Sequence, residues 1–318
     1  MFHLYVLSSD RLRDHCSCGF MDLILGFERY KKEAHDLGFE IHRIDNPNEN
    51  QIYGCNVDGI FTAWCNGVNI DSDRFAGRKW KIATFIDDIH WWSKETLQTL
   101  MNVFDKVDVV FAPYYRSALK YKTYSDFTGK MQELHWWAPD YCFSIKNEPW
   151  HLRKNQILLS GAISHYYPLR EIIKSSNHRC VQTLDHCGYR SPFGHPYHGC
   201  EFLDYASTFK GMIGTSAAPG KTYDGFVHNL DYTLAKTFES LGCGCLSFLE
   251  KTNDFDALGL VEDEHYIRID PQNFCEQFER VLYRDSEKIV TNGYRLVKET
   301  HSTRNRVMSV LKSLKNKW

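Results

Sequence analysis

Apolar positions along this chain change period repeatedly, from the short runs of a buried strand to the wider spacing of a helix. Phe2–Leu7 is a run of strand length, and the polar loop Ser8–Gly19 follows it. Met21–Leu37 then carries Ile24, Phe27, Tyr30, Ala34 and Leu37 at helical spacing and stops at Gly38, after which Phe39–Ile44 reads as a second strand. Strand, helix and strand in succession form a βαβ unit, here without the Gly-x-Gly-x-x-Gly of a dinucleotide site. Beyond the polar stretch Asn46–Asn56, further strands are predicted at Asp58–Trp64, Lys81–Ile86 and Val107–Phe111. In a doubly wound sheet the loops at the carboxyl ends of strands line the ligand crevice.

The alternation stops near the middle of the chain. Glu133-Leu-His-Trp-Trp-Ala-Pro-Asp140 and Asn147-Glu-Pro-Trp150 are aromatic and proline-marked, the composition of a linker between two domains. It restarts with a strand at Gln156–Ser160, a helix at Pro168–Ser175 with proline in its first turn, and a strand at Cys180–Leu184. A helix over Cys200–Phe209 and a strand over Met212–Thr215 follow. The last third is helical, over Asn273–Arg284, Ser286–Glu299 with a serine cap, and Thr303–Lys315.

Between these lies the stretch around which the second half is arranged, Asp231-Tyr-Thr-Leu-Ala-Lys-Thr-Phe-Glu239-Ser-Leu-Gly-Cys-Gly-Cys-Leu-Ser247. Leu234, Phe238 and Leu241 make one apolar stripe of a short helix, with Asp231 as N-cap and Gly242 as its left-handed end. A buried strand is expected at Cys245–Leu249. The free N–H groups and macrodipole of such a helix favour an anion at its start. Lys236 and Glu239 fall on its polar side, a cation for phosphate and an acceptor for hydroxyls.

Lys236-x-Phe-Glu-Ser-Leu-Gly-Cys-Gly244, followed by a strand, an acidic loop and Tyr266-Ile-Arg-Ile-Asp270, resembles the donor-side motif of group 1 glycosyltransferases. Leu159-Ser-Gly-Ala-Ile-Ser-His-Tyr-Tyr-Pro-Leu-Arg170, the strand near Gly211–Thr215 and the ending His301-Ser-Thr-Arg-Asn-Arg-Val307 are similar to the spore-maturation-type branch. Together these features cover about half of the chain, from residue 156 onward. The resemblance implies an α/β protein of the GT-B fold: two Rossmann-like domains, 1–145 on the acceptor side and 146–300 on the donor side, facing a central cleft. Residues 301–318 would form a helix crossing back to the first. It also implies transfer of a sugar from a nucleotide-diphosphate sugar to a hydroxyl of a glycan or glycoconjugate. Family members often carry two glutamates separated by seven residues; here the pattern is Asp231-x7-Glu239, one methylene shorter at the first position. On this reading Arg170, Lys221, Asp231, Tyr232, Lys236 and Glu239 bind the donor, with Glu239 on the ribose and Arg170 and Lys236 on the diphosphate. Arg306 is a weaker third cation.

The formal charge of −2 and pI near 6.7 give no general electrostatic reason to bind nucleic acid or an anionic membrane surface. No apolar run approaches the roughly 20 residues of a membrane span, and the opening strand lacks a basic start. Eleven scattered cysteines, an odd number, fit a reducing cytoplasm. Cys16-Ser-Cys18 and Cys243-Gly-Cys245 lack zinc-site spacing, and His195 and His198 lack neighbouring ligands, so a metal is not expected. Asp254-Phe-Asp256 lies in the loop after the donor strand, so transfer is expected to be metal-independent, with no resident cofactor. Asp87-Asp-Ile-His-Trp-Trp92, at a strand's carboxyl end, offers Asp87, Asp88 or His90 as base toward an acceptor hydroxyl; one aspartate capping the next helix and the tryptophans packing is the plainer alternative. His135, Trp136 and Trp137 lie where rings could stack on a sugar, or else pack in the core. A two-lobed sugar-binding protein without chemistry and another GT-B enzyme, such as a sugar-nucleotide epimerase, are the competing readings.

Overall fold

The computed structural model describes residues 1–8, 18–45, 55–64, 80–86, 106–118, 129–146, 148–161, 163, 167–185, 199–216, 232–282 and 286–318. They form two compact units. One contains Met1–His135 and Thr303–Trp318, the other Trp136–Lys221 and Asp231–Ser302. Among the described residues the chain leaves the first unit after His135 and returns to it at Thr303.

In the first unit the described strands are β1 (Phe2–Ser8), β2 (Phe39–Asp45), β3 (Gly59–Trp64), β4 (Lys81–Ile86), β5 (Val109–Ala112) and β6 (Met131–Glu133), in the order β2-β1-β3-β4-β5-β6. Every pairing is parallel. Parallel strands are covered on both faces, which is why Leu4–Leu7 and Val109–Ala112 are buried without a polar alternation. The helix expected over Met21–Leu37 is two helices, α1 (Cys18–Arg29) and α2 (Lys31–Asp36). The break is at Tyr30, whose φ of −105° and ψ of 25° leave the helical region. A short helix α3 (Tyr115–Ala118) follows β5.

In the second unit β7 (Lys154–Gly161), β8 (Val181–Asp185), β9 (Phe209–Gly214), β10 (Leu246–Leu249) and β11 (Ile267–Arg268) are ordered β11-β10-β9-β7-β8, again all parallel. The chain moves from β7 outward to β8 and then returns to β9 on the other side, so the order reverses between β7 and β9. Helices α4 (Pro168–Ser175), α5 (Gly199–Ser207), α6 (Ala235–Gly242), α7 (Phe274–Leu282) and α8 (Glu287–Thr300) cover this sheet. Ile157, Leu159, Ile213, Leu246 and Phe248 pack with Ile173 of α4 and with Phe274, Phe278 and Val281 of α7 in one buried cluster. Ser286 sits at the N-cap of α8, yet its hydroxyl donates to the Val281 carbonyl at 3.2 Å instead of capping the helix. Trp136 and Trp137 are buried in the packing of this unit, with ring centroids 5.5 Å apart, and do not present stacking faces to solvent.

The last helix, α9 (Thr303–Lys317), belongs to the first unit and packs on α1. Gly26 makes that approach possible, since a Cβ there would lie 2.7 Å from Thr303 Cγ2 and 3.0 Å from Val307 Cγ2. The Thr303 hydroxyl donates to the buried Asp22 carboxylate, which also accepts from Arg29 at 3.1 Å. Trp318 stacks on Phe2, centroids 5.3 Å apart. At the other end of the sheet Arg306, buried, donates from Nε to the His135 carbonyl at 2.9 Å. Burial lowers its pKa to about 10, with Glu133 opposing the shift. Glu133 itself pairs with His135 at 2.9 Å and with Arg116. Burial alone would raise its carboxyl, but the hydrogen bonds from His135 and Arg116 hold it at about 2.

Because the folded pKa of Glu133 is depressed, its contribution is present above the ordinary value of 4.5 and is lost as pH falls towards about 2. Glu133→Gln is expected to cost on the order of 1–2 kcal/mol at pH 7, discounted for the half-exposed Arg116. The gap from the parent, followed by denaturant unfolding across a pH series, should close through that window. A gap that stays constant to acid pH would contradict the assignment.

Candidate functional site

Ligands of doubly wound sheets bind outside the carboxyl ends of strands where the order reverses, which in the second unit is the end of β7 and β9. β7 ends at Gly161 with φ of +101°, a conformation costly for any residue with a side chain. That turn leaves room for Arg170. A Cβ on Gly161 would lie 2.5 Å from Arg170 Nη1. Arg170 stands in the first turn of α4, whose N1 position is Pro168, and is only 3% exposed. Its Nε donates to Thr215 Oγ1 at 2.7 Å, and its guanidinium lies 4.0 Å from the centre of the Tyr167 ring. The guanidinium is thus fixed between the two strand ends.

The strand ends beside it are tied together. Ser216 donates its N–H to Glu250 Oε2 at 2.9 Å, and the Glu250 N–H reaches the Gly214 carbonyl at 3.0 Å. Gly214 also admits α6: a Cβ there would lie 2.8 Å from Leu249 Cδ2 and 3.4 Å from Thr237 Oγ1. The first turn of α6 therefore sits over the end of β9, one residue from Thr215.

Helix α6 starts at Ala235, not near Asp231. Leu234, extended at φ −82° and ψ 161°, is its N-cap, and Thr233 before it is latched from outside. The Thr233 N–H donates to Asp254 Oδ2 at 3.0 Å, and its hydroxyl lies 2.7 Å from that of Thr252. Asp254 is 1% exposed. The Asp-x-Asp of the sequence thus supplies the anchor that sets where α6 begins. The left-handed residue after the helix is Gly244 at φ 63°, not Gly242. Gly242 is the last residue of the helix, and glycine is needed there for packing: a Cβ would come within 2.9 Å of Ala138 Cβ and 3.2 Å of Cys142 Sγ.

Lys236 and Glu239 face each other, Nζ to Oε2 2.6 Å, and the ammonium lies 3.9 Å from the centre of the Phe202 ring. The carboxylate is held at 5% side-chain exposure. Tyr232 is buried just before the helix. Lys236 and Glu239 thus lie on α6 and Tyr232 just before it, while Arg170 lies at the ends of β7 and β9. Lys221, Asp231, Asp87, Asp88, His90, His195 and His198 lie outside the described residues. Cys243 and Cys245 are buried and donate to the carbonyls of Leu203 at 3.6 Å and Ala206 at 3.4 Å. Burial drives the Cys245 thiol far above its ordinary range, with Cys243 adding and Arg153 opposing, so it stays protonated. Thr215, Thr233, Thr252, Asp254 and Glu250 were not singled out as site residues by sequence. Only Asp254 left a signal there, as half of an Asp-x-Asp.

No family model matches the sequence, and no curated protein sequence matches it significantly. Solved structures match it closely in fold. An alpha-glucosyltransferase in complex with UDP and a 13-mer DNA aligns with a TM-score of 0.61 at 10% identity, over 99% of this chain and 100% of that one. The Anabaena protein HepE in complex with UDP and glucose aligns at 0.62 and 10%, over 99% and 100%. A glycosyltransferase from Rickettsia africae aligns at 0.58 and 11%, over 99% and 98%. With two all-parallel sheets of six and five strands among the described residues, the chain has the GT-B fold of these enzymes. Among the described residues no helix is long and apolar enough to cross a membrane.

Gly161→Ala combines a strained φ with overlap of the Arg170 guanidinium. It should destabilise the protein by about 1–3 kcal/mol. Chemical unfolding measures this, and an unchanged midpoint would mean that the turn does not need glycine.

Proposed function

We propose that this protein is a glycosyltransferase that moves a sugar from a nucleotide-diphosphate sugar to a hydroxyl of a glycan or glycoconjugate, without a metal in the transfer step. The observation that carries the reading is the buried Arg170 guanidinium at the β7 and β9 ends, one residue from the strand end on which α6 begins. Supporting it are the GT-B fold and the UDP and UDP-glucose bound to neighbours of that fold. The motif over Lys236–Gly244 resembles the donor side of group 1 glycosyltransferases, and Leu159–Arg170 and His301–Val307 are similar to the spore-maturation-type branch.

As the bond to the anomeric carbon loosens, negative charge collects on the departing diphosphate. Arg170 supplies a fixed cation, and the amino end of α6 adds the positive end of a helix macrodipole. Lys236 reaches phosphate only by leaving Glu239. We therefore assign it chiefly to holding that carboxylate, which accepts the ribose hydroxyls. Lys221, Asp231 and Tyr232 complete the donor side on this reading. Asp87, Asp88 and His90 directly follow β4, and one of them takes the acceptor proton if the reaction inverts the anomeric centre. No resident cofactor enters.

Incubation with a panel of nucleotide sugars and hydroxyl acceptors, in chelator, should release free nucleoside diphosphate together with glycosylated product. DNA belongs in that panel, because the alpha-glucosyltransferase neighbour is bound to it; the charge of −2 predicts that it fails here. Donor binding with no release under any condition would favour a non-catalytic binder, and release abolished by chelator would overturn metal independence.

Glu239→Ala is expected to weaken nucleotide binding by about 10- to 150-fold, the equivalent of 1.5–3 kcal/mol. Calorimetric affinity within twofold of the parent, in a folded variant, would remove the ribose assignment. Among Asp87→Asn, Asp88→Asn and His90→Ala, the true base should lower turnover about 100-fold with donor affinity intact. If all three keep turnover within a few-fold, the chemistry lies elsewhere.

A further inference from the structure

The amino ends of β1 and β2, in the first unit, hold a second cluster with chemistry of its own. The two strands run parallel with His3 opposite Glu40 and Tyr5 opposite His42. Successive side chains of a strand point to opposite faces, so these four share one. His3 Nδ1 lies 3.2 Å from His42 Nε2 and 3.5 Å from Glu40 Oε2, and His42 Nε2 lies 3.9 Å from Glu40 Oε1. We propose that His3, Glu40 and His42 form a three-ligand site for a divalent transition ion of the zinc type, with water as the fourth ligand.

The donor set is right for that class, since two imidazole nitrogens and a carboxylate suit Zn2+ better than an oxygen-seeking ion such as Mg2+. The spacing is right as well. Ligands at about 2.0–2.1 Å from a tetrahedral ion stand roughly 3.3–3.4 Å apart, so the observed spread is closed by small side-chain rotations. The backbone need not move. The His42 imidazole is also supported from behind, where the Tyr5 ring stacks on it at 4.6 Å, and the backbone N–H of His3 is held by the Asp58 carboxylate at 2.8 Å. Side-chain exposures of 24% for His3, 32% for His42 and 49% for Glu40 give an ion a path from solvent. Without metal, the 3.2 Å contact is a single N–H···N bond between the rings, which the ion would replace with three ligand bonds.

His178, Cys180 and Glu279 in the second unit are equally close together, yet do not fit. There His178 Nδ1 accepts from the Cys180 N–H at 3.3 Å, which puts the ring proton on the nitrogen that would have to ligate. Glu279 is held by Arg179 at 2.9 Å. That cluster serves as the internal control.

The proposed ion would act on stability. Among the described strands β2 is at the edge of the sheet and β1 is interior, so the ion would tie the edge to its neighbour. It lies at the amino ends of the strands, away from the carboxyl end of β4 at Ile86. An ion that binds the folded but not the unfolded chain raises the melting temperature by mass action.

The full chain, treated with chelator and desalted, is titrated with Zn2+ by calorimetry and with Co2+ by visible absorption. The parent should show a saturable site at micromolar metal and the intense bands of a four-coordinate cobalt. His3→Ala and His42→Ala should each bind one equivalent fewer, and Glu40→Gln should bind at least about tenfold more weakly. His178→Ala should bind as the parent does. Zn2+ should raise Tm in the parent and leave His42→Ala unmoved. A site unchanged in both histidine variants, a site lost instead with His195→Ala or His198→Ala, or no saturation below about 1 mM overturns the proposal. Glu40→Gln, altered at a half-exposed side chain, decides the matter if the histidine variants do not fold.

Discussion

Arg170 keeps a charge at 3% exposure, a state that persists in proteins only where polar partners and a fixed geometry offset the loss of water. The Thr215 hydroxyl and the face of Tyr167 are two such partners, and the missing side chain of Gly161 is what lets the guanidinium reach them. The reversal of strand order between β7 and β9 brings a residue of α4 to the end of a strand that lies far along the chain. An anion brought there meets its charge in a low-dielectric setting, where the attraction is several times stronger than in water.

The same end of the sheet depends on two further packing decisions. Gly214 allows α6 to rest directly on β9, and the Thr233 latch to Asp254 and Thr252 keeps the preceding segment extended. Without that latch α6 could wind back by a turn, carrying its amino end away from Thr215. Asp254 would then be a carboxylate buried with no helix to position. Lys236 and Glu239, by contrast, are matched to each other across one turn of α6, which orients the carboxylate at the cost of committing the ammonium.

Much of the fold was readable from apolar periodicity, because parallel strands buried on both faces leave unbroken runs such as Leu4–Leu7 and Ile157–Leu159. Local rules misplaced what tertiary contacts decide. Asp231 and Gly242 have the composition of helix ends, but α6 starts at Ala235, after the Thr233 latch to Asp254, and Gly242 is a helical residue whose missing side chain admits Ala138 and Cys142. Ser286 stands where a cap should and bonds to Val281 instead. Motif resemblance singles out Arg170 and Glu239, whereas Thr215 and Glu250 carry no pattern of their own. The His3, Glu40 and His42 cluster was invisible for a related reason: its members lie on different strands, and only the parallel register of β1 and β2 brings them together.

Hydrogen exchange with and without UDP, in the presence of chelator, tests the central claim most directly. If the diphosphate sits against Arg170 and the start of α6, the amides of Thr215, Ser216 and Ala235–Thr237 should exchange at least several-fold more slowly at saturation, and that protection should vanish in Arg170→Met. Saturable UDP binding that leaves these amides unchanged, or that protects only the first unit, would contradict it.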